Sequence, residues 1–330
     1  MTPEKKISII TPSFNQAAYV EQTINSVLNQ NYSNLEYIII DGGSTDGSVD
    51  IIKKYEKNLS SWESTKDNGQ SEAVNKGFKK ATGEIISWLN SDDLLAENAL
   101  SKINEHFKAT DAGMIYGKTV LFGDEIKTQI KPLPHDDLTA RYLAGMPYSQ
   151  PSCFFKRQIL NEQGALDERL HYAMDYDLFA RIALNYEIKQ TQDVFSHYRL
   201  HKQSKSVRGD LNFAKEWAIV FSRVLRSFSF TDDLINNLKA LNLYAEGSEK
   251  YNVTKKFTPQ DLRKAFLYFL EHQVHNYYNN LDLEKAKQII SFLKTFDPAF
   301  YKSRHLETLH YKTSLLNKPL IKLLRLFSRA

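Results

Sequence analysis

Ser87-Trp88-Leu89-Asn90-Ser91-Asp92-Asp93 runs from apolar residues straight into an amide, a hydroxyl and two adjacent carboxylates. With Glu84, Ile85 and Ile86 ahead of it, the apolar part reads as a short buried strand over 84–89, so the carboxylates fall where that strand leaves its sheet. In open α/β sheets this carboxyl edge is where ligands bind. Neighbouring carboxylates repel unless a positive group lies between them or their pKa values separate. A hard divalent cation meets that need, because it takes a few carboxylate oxygens and fills its other positions with water and substrate phosphate. The competing reading is an Asp-rich helix start, with Asp93 capping a helix through Leu94-Leu95-Ala96. These seven residues leave both readings open.

The same alternation recurs upstream. Ile7–Thr11 reads as a strand stopped by Pro12-Ser13-Phe14-Asn15, and Val20, Ile24, Val27 and Leu28 then recur at helical spacing. Tyr37-Ile38-Ile39-Ile40 is apolar throughout, the pattern of a parallel strand covered on both faces. It ends in Asp41-Gly42-Gly43-Ser44-Thr45-Asp46-Gly47-Ser48, with a helix through Ile51, Ile52 and Tyr55. Two more strand–helix pairs are expected, Ser61–Thr65 with Gln70–Ala81 and Glu84–Leu89 with Glu97–Ala109. The result is a doubly wound α/β half whose polar turns, Thr11–Gln16, Asp41–Ser48 and Asn90–Asp93, share one rim. The glycines let the backbone approach a ligand, and Asp41 and Asp46 can accept from base or ribose donors. An ordinary Gly/Asp turn is the alternative there. No Gly-x-Gly-x-x-Gly follows the first strand, and Gly117-Lys118-Thr119 is no P-loop because Ala112 stands where the earlier glycine belongs.

The 330 residues suffice for one large α/β domain and a smaller one, and 42% apolar content fills a real core. A net charge of +4 suits anionic substrates or a membrane surface and selects neither, and nothing points to a nucleic-acid partner. The single cysteine, Cys153, excludes an internal disulfide and a Cys-based zinc site and argues for a reducing compartment. The N-terminal apolar run is too short for a signal peptide. No stretch approaches the roughly 20 apolar residues of a membrane span. The expected location is the cytoplasm.

As an ordered set, Ile9-Ile10-Thr11-Pro12-Ser13-Phe14-Asn15, Asp41–Ser48, Asp67-Asn68-Gly69-Gln70 with Asn75-Lys76-Gly77, and Ala81-Thr82-Gly83-Glu84 leading to Asn90-Ser91-Asp92-Asp93 resemble the family 2 glycosyltransferases of the GT-A fold. The resemblance covers about 5–205. It implies a GT-A-like nucleotide-sugar-binding α/β fold with a mostly parallel sheet, a nucleoside diphosphate sugar donor with a UDP-sugar foremost, Mn2+ or Mg2+, and inversion at the anomeric carbon. Asp92 matches the metal-binding aspartate of the family's Asp-x-Asp motif. Asn90 stands in place of its first aspartate, where an amide suits ribose or a metal-bound water. Asp41 matches the first carboxylate of the Asp-Asp-Gly-Ser stretch and Gly42 replaces the second, leaving Asp67 as the candidate partner for a uracil-like imide. By the same resemblance Thr11, Pro12, Asn15, Gly43, Lys76, Ser91, Asp93 and Arg199 line the nucleotide-sugar site.

Tyr172-Ala173-Met174-Asp175-Tyr176-Asp177 opens a helix and resembles the family's Glu-Asp-x-Asp stretch, with Asp175 at the catalytic base and Met174 replacing the Glu. Helix-dipole stabilisation is the alternative for both aspartates, and Asp177 is assigned to it or to a salt bridge with Arg181, four residues on. His201, in the basic run Arg199-Leu200-His201-Lys202, is placed by the resemblance near the diphosphate and the metal. Gln150-Pro151-Ser152-Cys153-Phe154-Phe155-Lys156-Arg157 resembles the strand lining the acceptor cleft, and Cys153 reads as a small buried hydrophobe.

Beyond about 210 the pattern is helical, with Val220, Phe221 and Val224 on one apolar face and Leu262, Phe266, Phe269 and Leu270 on another. The expected domains are 1–209, the transferase, and 210–330, a helical region. Its tail carries Lys318, Lys322, Arg325 and Arg329 on one stripe and leucines on another, so 316–330 is a candidate peripheral membrane contact or a solvated cap. The expected acceptor is a hydroxyl of a saccharide or lipid-linked saccharide. The alternatives are a sugar-phosphate nucleotidyltransferase and a non-catalytic carbohydrate-binding protein on a decayed enzyme fold.

Overall fold

A computed structural model describes residues 3–123, 126–202, 204–205, 211–315 and 318–321. The chain divides into two compact units. The first comprises Met1–Asp136, Met146–Val207 and Asn252–Lys255. It alternates β1 (Ile7–Ser13), α1 (Val20–Leu28), β2 (Leu35–Asp41), α2 (Ser48–Lys54), β3 (Ser61–Ser64), α3 (Gln70–Lys80) and β4 (Ile85–Trp88). Then come β5 (Leu94–Leu95), α4 (Ala99–Ala109), β6 (Met114–Phe122), β7 (Gln129–Lys131), β8 (Cys153–Lys156), two helices over Gln158–Gln163 and Met174–Asn185, and β9 (Ile188–Arg199). The strands form a mixed, mostly parallel sheet in the order β3-β2-β1-β4-β8-β6-β9-β5, with β7 paired to β6.

The apolar run of β2 explains its central place. Ile38, Ile39 and Ile40 are no more than 1% exposed, and each buried aliphatic chain contributes about 1.5–3 kcal/mol. On the neighbouring strand, α3 sits so close to β1 that a Cβ on Gly77 would lie 2.4 Å from Ile10 Cγ2. Because β1, β2 and β3 are parallel and in register, Ser13, Asp41 and Ser64 line up at one edge.

Two local expectations change. β1 continues through Pro12 and Ser13, opposite Ile40 and Asp41. Ile10 O accepts from Leu89 N at 2.8 Å and Ser13 O from Gly42 N at 2.8 Å, so Pro12 faces the side on which β4 has already ended and no donor is missed. Asp93 caps no helix. Leu94 and Leu95 instead form β5, opposite His197 and Ser196 of β9, and α4 starts only at Ala99.

The second unit comprises Asp137–Gly145, Arg208–Tyr251 and Lys256–Ala330. Its described elements are helices, the longest being Pro259–Asn279. Thr258 opens that helix with a reciprocal cap to Asp261, and Pro259 takes the first turn, where its missing N–H costs nothing. Leu262, Phe266, Phe269 and Leu270 are its buried face, and Phe269 stacks on Phe221 at 4.2 Å. Of the proposed basic tail only 318–321 is described, so most of that expectation lies outside the described residues. Among the described residues no helix is long and apolar enough to cross a membrane.

Candidate active site

Asp41 ends β2 fully buried. Its Oδ2 accepts from Gly43 N (3.0 Å), Ser44 N (2.9 Å) and the Ser64 hydroxyl (2.7 Å), and its Oδ1 from the Ser44 hydroxyl (2.5 Å). The Asp41 carboxylate thereby shapes the turn and ties it to β3. Gly43 supplies the positive φ of +83° that the turn requires. Thr11 is buried with its hydroxyl 3.1 Å from Tyr37 OH, and Pro12 is buried beside it. Asn15, exposed in the left-handed region at φ +52°, stitches two turns together. Its N–H donates to Ser44 Oγ (2.8 Å) and its Oδ1 accepts from Thr45 N (2.9 Å).

Gly42 and Asp67 are complementary. A Cβ on Gly42 would lie 2.8 Å from Asp67 Oδ2, so the missing side chain makes room for that carboxylate, while Asp67 Oδ1 accepts from Gly69 N at 2.9 Å. Asp67 thereby occupies the space that a side chain on Gly42 would enter. Lys76 pairs with Glu72 one turn earlier on α3 at 2.8 Å, and that pairing holds its pKa above the usual lysine value.

The stretch after β4 is braced from β9. Asp93 is buried and accepts from Arg199 N (2.9 Å), with Asn90 Nδ2 at 3.5 Å. Burial, with the neighbouring Asp92 charge, pushes the Asp93 carboxyl well above the ordinary range. Arg199 donates from Nε to Asp92 O (2.8 Å) and from its guanidinium to Gln22 Oε1 (2.7 Å), with Tyr19 and Phe122 rings at 4.9 and 4.4 Å. Asp93 thus turns its carboxylate into the protein, and Arg199 ties the turn after β4 to α1 and β9. Ser91 is buried as well. Asn90 Oδ1 accepts from Gln70 Nε2 at 2.7 Å, and Gln70 Oε1 from Lys205 Nζ at 3.2 Å.

Asp92 keeps a partly exposed carboxylate, and its Oδ2 lies 3.0 Å from His201 Nε2. The His201 ring rests on Tyr19, 4.8 Å between centroids. Among the described residues no group of three or more His, Cys, Asp or Glu side chains is placed to hold a metal. One carboxylate with one imidazole is nevertheless a donor pair that fits a Mn2+ or Mg2+ ion whose other positions come from phosphate and water.

Asp175 lies in the first turn of Met174–Asn185, partly buried, with its Oδ1 accepting from Tyr176 N at 2.8 Å. Asp177 points inward and binds Arg181 at 2.7 and 3.0 Å, as the four-residue spacing implies. Met174 Sδ accepts from the Ser71 hydroxyl at 2.7 Å, so the residue that replaces the family's Glu packs against α3. Cys153 is buried, its thiol pKa pushed well up by burial and by the Asp175 charge. Sequence reasoning gave no role to Lys205, which lies outside the quoted motifs, nor to Gln70 and Gln150, which stand inside them. Gln150 donates from Nε2 to Trp88 O (2.7 Å), while its Oε1, with Ser13 Oγ and Trp88 Nε1, is buried without a partner among the described residues. Unused hydrogen-bonding capacity thus concentrates where β1 and β4 end and β8 begins.

Residues 8–171 match glycosyl transferase family 2. An uncharacterized glycosyltransferase of Nostoc sp. is 30% identical over 211 residues, covering 59% of this chain and 65% of that protein. The chain spans between 36% and 65% of the length of the first curated relatives it matches. The fold resembles Staphylococcus aureus TarS 1–349 in complex with UDP-GlcNAc, with a TM-score of 0.57, 16% identity and coverage of 94% of this chain and 92% of that one. It also resembles the mannosyltransferase PcManGT of Pyrobaculum calidifontis in complex with GDP-Man and Mn2+, at TM-score 0.53, 17% identity, and 99% and 85% coverage. Through residues 8–171, the chain belongs to glycosyl transferase family 2 and carries its GT-A-type sheet.

Proposed function

We propose that the protein is an inverting, metal-dependent glycosyltransferase that moves a sugar from a nucleoside diphosphate sugar, a UDP-sugar foremost, to a hydroxyl of a saccharide or lipid-linked saccharide. The observation that carries this reading is the Asp92–His201 pair at 3.0 Å on the carboxyl side of the sheet. The donors named in the structures of TarS and PcManGT support the substrate class.

Asp92 and His201 would hold the divalent ion, which when bound supplies positive charge to the diphosphate as the glycosidic bond breaks. Asp67 accepts from the imide N–H of a uracil-type base. Asp175, steadied by the Tyr176 N–H, takes the proton from the attacking acceptor hydroxyl. The same reading assigns 1–209 to the transferase domain and 210–330 to a helical region whose tail, 316–330, meets the cytoplasmic membrane surface.

Incubation with radiolabelled UDP-, GDP- and dTDP-sugars tests it. Metal-dependent sugar transfer or slow donor hydrolysis is expected. Pyrophosphate formation from a sugar phosphate and a nucleoside triphosphate would point to a nucleotidyltransferase instead.

A further inference from the structure

Lys131, the last residue of β7, has no part in the reaction just described. It is half-buried, and its ammonium reaches Ser149 Oγ at 3.5 Å, with no carboxylate at ion-pair distance among the described residues. Burial holds its pKa below the ordinary lysine value. An ammonium partly withdrawn from water is stabilised by a counter-charge, because desolvating a charge is costly.

Its surroundings belong to the candidate site. Lys131 pairs across the hairpin with Thr119, whose hydroxyl lies 2.7 Å from Ser152 Oγ. Next to Ser152, the Cys153 thiol donates to Ser149 O at 3.4 Å and lies within electrostatic reach of both Lys131 and Asp175. Gln150, in the same turn, keeps its unpartnered Oε1. A cation with no carboxylate partner among the described residues thus acts on the same thiol as the carboxylate assigned to the acceptor hydroxyl.

We propose that Lys131 is an acceptor-specificity residue and that the acceptor carries an anionic group, phosphate or carboxylate, close to the hydroxyl that receives the sugar. The counter-charge for Lys131 arrives with the acceptor. The inference rests on the reading of Asp175 as the base, since that reading makes this side of the sheet the acceptor side.

The test uses the full chain with its lysines reductively methylated with a 13C label, and the Lys131 resonance assigned by its loss in Lys131→Arg. Methyl phosphate and acetate are titrated at constant ionic strength, with chloride as reference, and hydrolysis of UDP-sugars is measured on the unmodified protein. A saturable shift of the Lys131 resonance, unmatched by exposed lysines, in a protein that hydrolyses donor is expected, and the anion that saturates at lower concentration tells phosphate from carboxylate. A shift that stays linear and equals that of surface lysines overturns the inference alone. A protein that hydrolyses no donor overturns it together with the proposed function.

Discussion

His201 Nε2 and Asp92 Oδ2 lie 3.0 Å apart although the residues are 109 positions apart in the chain, so the end of β9 and the turn after β4 meet in one donor pair. If that pair holds the divalent ion, Asp92→Ala and His201→Ala should each lower Mn2+-dependent UDP affinity at least about tenfold, a loss of about 1.4 kcal/mol. Titration calorimetry with and without Mn2+ reads it. Equal metal dependence in both variants and the parent would remove the pair from the metal site.

Arg199 supports this pair. Removing its hydrogen bonds to Asp92 O and Gln22 Oε1 should cost about 1–3 kcal/mol of stability and weaken metal-dependent UDP binding as well. Lysine lacks the planar fork, so Arg199→Lys should not restore either property. Rescue of UDP binding by lysine would return Arg199 to the role of a point charge for the diphosphate.

Gly42→Ala places a Cβ 2.8 Å from Asp67 Oδ2 and must shift that carboxylate. Uridine affinity should fall in Gly42→Ala and in Asp67→Asn alike, with little change in thermal midpoint for the latter. Undiminished uridine binding in Asp67→Asn would exclude it as the base contact.

Stability should carry a signature of Glu36 in acid. Burial alone would raise its pKa, but the Lys6 ammonium, the Ser8 hydroxyl and the Thr82 N–H and hydroxyl outweigh it and bring the carboxyl down to about 2. An unfolded Glu titrates near about 4.3, so the folded state binds fewer protons in between. The stabilisation is complete above the unfolded value and disappears as pH falls through about 2. Thermal midpoints of Glu36→Gln should therefore depend less steeply on pH between about 4.3 and 2 than those of the parent; identical slopes would contradict this.

Much of this architecture is legible in the chain. The apolar run Tyr37–Ile40 announces a doubly covered strand, and the spacing of Asp177 and Arg181 announces their ion pair. What stays hidden is set by side-chain direction across long separations. No local pattern says that the carboxylates of Asp41 and Asp93 turn inward, that Arg199 is clasped by Tyr19 and Phe122, or that Lys131 has no carboxylate partner among the described residues. Asp93 also reads as a helix cap until β9 is seen to draw Leu94 and Leu95 into the sheet.

Turnover of an α-linked UDP-sugar, followed by proton NMR with Mn2+ present, tests the proposed function most directly. The protein should release UDP with the β-anomer of the sugar as the first product, and Asp175→Asn should do so at least about a hundredfold more slowly while still binding UDP. An α-anomer formed first, or a wild-type rate in Asp175→Asn, would contradict inversion with Asp175 as the base.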